Sequence, residues 1–164
     1  LTVGFAGMYQ ADGVGNSPAT AADYLGMSVD VLMEKKLAAG LLTLEGTYWK
    51  YDLDGKPDCG TGEPGSLACP AGSNVGGLVE GDAWLATALF MFPQKLGLGK
   101  LQPFVRYQNF ERELSNTTVD AWDVGLNYII KGHNAKFSLY WNQTDDDAAP
   151  EPIDSVVFGV QLQI

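Results

Sequence analysis

The chain has 164 residues, 46% of them hydrophobic and 11% aromatic, with a mean hydropathy of −0.04. That composition excludes a disordered polymer, and no apolar run approaches the ~20 residues of a spanning helix. A formal charge of −10 at pH 7 argues against nucleic acid as a partner, and the length fits one domain over 1–164.

Period-two alternation marks a β-strand, because successive side chains point to opposite faces. It recurs in eight segments: 1–10, 23–33, 41–52, 82–92, 101–112, 119–130, 135–143 and 155–164. The first, "LTVGFAGMYQ", begins in mid-pattern without a leader, as a mature chain or a piece of a longer one would. In the second, Leu25, Met27, Val29, Val31 and Met33 oppose Tyr24, Gly26, Ser28 and Asp30, and the third carries Glu45 on its polar face. A long polar stretch follows, and its "DCGTGEPGSLAC" holds both cysteines, Cys59 and Cys69. Two cysteines on one loop and none elsewhere predict a disulfide and an oxidising compartment. The only histidine, His133, lies in a distant turn, so no metal-ligand cluster is expected. "DLDGKPD" (Asp52, Asp54, Gly55, Asp58) resembles the front of a calcium loop but lacks the closing acidic ligand, and reads as a solvated loop.

The fourth segment, "DAWLATALFMF", is apolar on both faces and its orientation stays open. The fifth sets Leu101, Pro103, Val105 and Tyr107 against Gln102, Arg106 and Gln108. The sixth and seventh form a hairpin about a turn at 131–134. In it Ile130 faces Ala135, Tyr128 faces Phe137, Leu126 faces Leu139 and Val124 faces Trp141. On the other side Asp123 meets Asn142, and Tyr140 covers the bare backbone of Gly125. An acidic loop tip, "TDDDAAPEPID", leads to the last segment, where Val156, Phe158, Val160, Leu162 and Ile164 oppose Ser155, Gly159, Gln161 and Gln163.

The connections alternate in length: short after the second, fourth and sixth segments, long and polar near 11–22, 53–81 and 144–154. This predicts a transmembrane antiparallel up-and-down β-barrel with periplasmic turns and extracellular loops. A Greek-key sandwich has no reason to show it. The apolar face then meets outer-membrane lipid. Trp122 and Trp141 near the long-loop ends, with Tyr128 and Phe137 near the short-turn ends, form the interfacial girdles. The polar face, with Asp30, Glu45, Arg106, Asp123, Asn127, Lys136, Tyr140 and Asn142, lines a pore. Topped by acidic loops, such a wall gives a weak preference for cations. Two other readings compete: a closed eight-stranded membrane barrel acting as anchor or adhesin, and a soluble ligand-binding β-barrel. Small polar-face residues (Gly4, Ala6, Gly26, Ser28, Gly125, Gly159) favour a wide barrel, since an eight-stranded one must be filled by bulky side chains.

"LQPFVRYQNFE", "AWDVGLNYIIKGHNAKFSLYWNQ" and the closing "VVFGVQLQI" resemble the C-terminal part of Gram-negative outer-membrane porins. The likeness is to the phosphate-selective porins O and P in particular. It covers 101–164 and is only architectural before that. It implies that these strands are the C-terminal half of a barrel of about sixteen strands. Such barrels are often homotrimeric and pass small hydrophilic solutes or ions by diffusion. Two departures stand out. The chain ends in Ile164 where such porins end in an aromatic residue, and only Arg106 and Lys136 represent the basic ladder that anion selectivity needs. Phosphate selectivity is therefore not carried over. No nucleophile motif or phosphate-cradling glycine loop is present, so neither enzymatic activity nor a cofactor is expected.

Overall fold

The computed structural model describes residues 1–14, 22–54, 80–113, 116–132 and 134–163. The expected disulfide cysteines Cys59 and Cys69 lie outside those residues, as do Gly55 and Asp58 of the calcium-like stretch, His133 and Ile164. The alternating segments form the strands β1 (Thr2–Val14), β2 (Ala22–Leu37), β3 (Gly40–Asp54), β4 (Gly81–Met91), β5 (Lys95–Leu96), β6 (Gly99–Arg112), β7 (Thr117–Lys131), β8 (Ala135–Asp146) and β9 (Ile153–Leu162). Each long strand pairs antiparallel with the next, in the order β1-β2-β3-β4-β6-β7-β8-β9, and β5 pairs with β6 alone. The architecture is thus all-β and up-and-down. The sheet is open, with β1 and β9 as its margins among the described residues.

Three local expectations are corrected. The short connection after the fourth segment, "PQKLGLGK", contains the extra strand β5. Gly97, at φ +64°, takes the left-handed conformation that a tight reversal between Leu96 and Gly99 needs. Tyr128 pins this turn: its hydroxyl accepts the Gly99 N–H at 2.9 Å and donates to the Leu96 carbonyl at 2.5 Å. In the β7–β8 hairpin the pairings Tyr128–Phe137, Leu126–Leu139, Val124–Trp141 and Asp123–Asn142 stand as expected. Ala135, however, opposes Lys131 rather than Ile130, because the ladder shifts between Ile129 and Lys131. That shift is a β-bulge, and the turn beyond it is closed by the Asn134 N–H on the Lys131 carbonyl at 2.8 Å. Finally, the loop expected near 144–154 shortens to 147–152, because β8 runs to Asp146. Acidic composition there reads as loop, yet Arg112 grips Asp146 in a two-pronged ion pair, each N–O distance 2.9 Å, and holds it in the ladder.

Register assigns a face to every strand, including the one the sequence left open. On β4, Leu85, Thr87 and Leu89 share a face with Gln108, Arg106 and Phe104 of β6. Trp84, Ala86 and Ala88 lie on the face of Tyr107 and Val105. One face of the sheet is therefore polar from β1 to β9 and the other apolar. Burial follows the reverse of the rule for a globular core. On the polar face Asp123 is 1% exposed and Asn127 6%. On the apolar face Val124 is 49% exposed and Leu139 54%. Among the described residues only Tyr24 and Leu53 are buried apolar side chains, and they form one small cluster with Tyr51, so this single layer encloses no extended apolar core.

Candidate polar wall and aromatic face

All eight residues expected to line a pore fall on the polar face. The ladders join Glu45 to Thr87, Thr87 to Arg106, Arg106 to Asp123, Asp123 to Asn142 and Asn142 to Ser155. This makes one continuous polar row across six strands. Within it Arg106 donates to Asp123 through Nε and lies 2.6 Å from Asp123 Oδ2 through Nη2 as well. Asn142 Nδ2 donates to Asp123 Oδ1 at 2.7 Å, and Gln108 Nε2 reaches Oδ2 at 3.4 Å. A carboxylate as covered as Asp123 is tolerable only when so surrounded by donors.

Four residues along β7 is a second brace. Asn127 Nδ2 donates to Gln102 Oε1 at 3.1 Å, and Ser138 Oγ donates to Asn127 Oδ1 at 2.7 Å. Between the two braces lies Gly125, flanked by Phe104 on β6 and Tyr140 on β8. The two rings meet edge to face across it, centroids 5.8 Å apart. The absent side chain is required: a Cβ on Gly125 would collide with the Tyr140 Cβ and the Leu139 carbonyl. Tyr140 thus covers Gly125 as expected, with Phe104 as an unforeseen second cover.

The remaining wall residues are looser. Asp30 hangs over Gly4, whose missing Cβ leaves room for its carboxylate. Glu45 and Lys136 form no ion pair among the described residues, and they border one recess of about 260 Å³ with Arg106, Phe104 and Tyr140. The recess draws on β3, β4, β6, β7 and β8, bringing together residues that the sequence separates widely.

On the apolar face Trp84, Tyr107 and Trp122 pack ring against ring at a tilt across three neighbouring strands, with centroids 4.7 and 4.5 Å apart. Tyr128 opposes Phe137 toward the other end, and Phe137 stacks on Phe158 of β9 at 6.3 Å. A recurring clasp was missed by sequence reasoning. Tyr9 donates its hydroxyl to Asp23 at 2.7 Å, and Tyr48 and Tyr107 donate theirs to Asp82 and Asp120. In each case the aspartate precedes by two the residue opposite the tyrosine: Leu25, Trp84 and Trp122. The same position on β9 is Asp154, two before the Val156 that opposes Trp141. The signal was present as "DYL", "DAW", "DAW" and "DSV" at the start of alternate strands.

Just outside β4, burial and the neighbouring carboxylates of Glu113 and Asp52 push the Glu80 carboxyl above its ordinary value. A backbone hydrogen bond at Leu53 and the charge of Lys50 pull the other way. No protein-family model, curated protein or solved structure matches the chain.

Proposed function

We propose that the chain forms part of the wall of an outer-membrane β-barrel porin, a passive channel for small hydrophilic solutes or ions with a weak preference for cations. The observation that carries this reading is the inverted burial. A sheet whose polar face is braced and covered while Val124, Leu126, Leu139 and Trp141 stand uncovered suits lipid on one side and water on the other. A soluble ligand-binding barrel would need the opposite. The row of Trp84, Tyr107 and Trp122 suits an interfacial girdle, and the small polar-face residues suit a wide lumen. Because unpaired strand edges are not tolerated in lipid, the margins β1 and β9 are read as joined by further strands of a closed barrel of about sixteen. The porin-like hairpin and closing strand agree with this, and with assembly as a homotrimer.

Spin labels test the reading directly. Labels at Leu126 and Leu139 of the reconstituted protein should be relaxed by oxygen dissolved in the bilayer, and one at Ser138 by an aqueous nickel chelate. The reverse pattern would replace the membrane barrel with a soluble one. A membrane-inserted protein that conducts nothing in planar bilayers would leave the closed anchor as the better account.

A further inference from the structure

We infer that the pore rectifies, passing more current when its long-loop side is positive than when it is negative; this rests on the porin reading above. Charge is sorted along the strands. Lys35, Lys36, Lys95, Lys100, Lys131 and Lys136 all lie at or beside the short turns, and of the chain's lysines only Lys50 and Lys56 stand elsewhere. Within three residues of those turns, Glu34 is the one carboxylate among the described residues.

The pairing is equally one-sided. Lys50, Arg106 and Arg112 all form ion pairs, whereas none of the short-turn lysines does so among the described residues. Lys95 stands directly opposite Lys100, and the same row runs through Ile129 to Lys136. Like charges directly opposed across a ladder are destabilising, and nothing in this row neutralises them. At the other end Glu80, Glu111, Glu113, Asp145, Asp147 and Glu151 gather around the long connections. Among the described residues the cations there, Lys50 and Arg112, are already paired. Between the ends Arg106 and Asp123 cancel each other.

The spacing makes the two mouths independent. Lys136 and Asp146, at opposite ends of β8, are ~33 Å apart along the strand at roughly 3.3 Å per residue. Screening falls off over ~10 Å at 0.1 M salt. An acidic mouth concentrates cations and a lysine-lined mouth concentrates anions. With the long-loop side positive, each mouth feeds its abundant ion inward, the lumen fills with both, and conductance rises. With the polarity reversed both ions are drawn out and conductance falls.

Single-channel recording of the intact protein in a zwitterionic planar bilayer is the test. At ~0.1 M KCl the currents at equal and opposite voltages should differ by about twofold, and at ~1 M, where screening shrinks to ~3 Å, they should match. Acidifying one side at a time identifies the long-loop mouth, because protonation removes its charge and spares the lysines. That side must be the one whose positive potential gives the larger current. Lys95→Gln with Lys100→Gln should leave an open channel with a clearly reduced asymmetry, and Lys136→Gln, two strands from Lys100 on β8, should lower the asymmetry by itself. A symmetric wild-type curve at low salt, or the opposite polarity, overturns rectification while leaving the pore reading intact. The absence of any channel overturns both.

Discussion

The polar faces of β6–β8 and of β1–β2 belong to one sheet but are built differently. On β6–β8, long polar side chains interlock through Asp123 and Asn127, and aromatic rings fill the gap over Gly125. On β1–β2 the same face offers Gly4 and Ala6 opposite Asp30 and Ser28, with a shallow recess of about 180 Å³ bordered by Ala6, Gly26 and Ser28. A single-layered sheet cannot draw rigidity from a core beneath it. The β6–β8 region therefore draws its stiffness from cross-strand polar contacts, whereas the recess at β1–β2 is bordered by the rings of Tyr24, Trp49 and Tyr51.

The sharpest way to break this comparison is to remove one acid from each region. Asp123→Ala strips Arg106, Gln108 and Asn142 of a common acceptor and should cost roughly 3 kcal/mol of stability, whereas Asp30→Ala should cost about 0.5 or less. Urea or thermal unfolding of the refolded protein in detergent measures both, and equal losses would mean that the network is not what stiffens β6–β8.

Glycine substitutions sharpen the contrast. Gly125→Ala forces a Cβ into the Tyr140 backbone and should cost about 2 kcal/mol. Gly159→Ala on β9, where the new Cβ meets only the Ser138 Cβ at 3.8 Å, should be nearly neutral. The same unfolding midpoints decide it.

The smallest expected effect concerns pH at the long-loop end. Glu80 has its carboxyl raised above the ordinary 4.5, so just above that value the folded chain binds its proton more readily than the unfolded one. Its contribution to stability therefore grows as pH falls through that interval and is lost at neutral pH. Glu80→Gln should abolish this slope and slightly stabilise the fold at pH 7. An unchanged slope would place the titration on another group.

The strands were legible because the apolar face alternates without interruption, and the β7–β8 register followed from matching Val124 with Trp141 and Leu126 with Leu139. What escaped depended on other strands. The orientation of β4 could not be read from a segment apolar on both sides; it comes from the pairing of Thr87 with Arg106. The end of β8 was hidden because Asp145 and Asp146 look like loop, whereas both pair with β7 and Arg112, reaching across β7, holds Asp146. The wall residues were visible as polar alternation, but Gln102 and Ser138 as partners of Asn127 were not. Hydrogen bonding between side chains on three strands has no period along any one of them.

The tyrosine–aspartate clasp has a consequence for how such a wall can change in size. Both members belong to the same pair of successive strands: β1 with β2, β3 with β4, β6 with β7. Removing or duplicating one of these three pairs therefore takes away or adds a complete clasp and leaves no orphaned tyrosine or carboxylate on the apolar face. The two-strand pair, rather than the strand, is the modular unit, and a barrel built this way can widen or narrow in even steps while its aromatic row stays level.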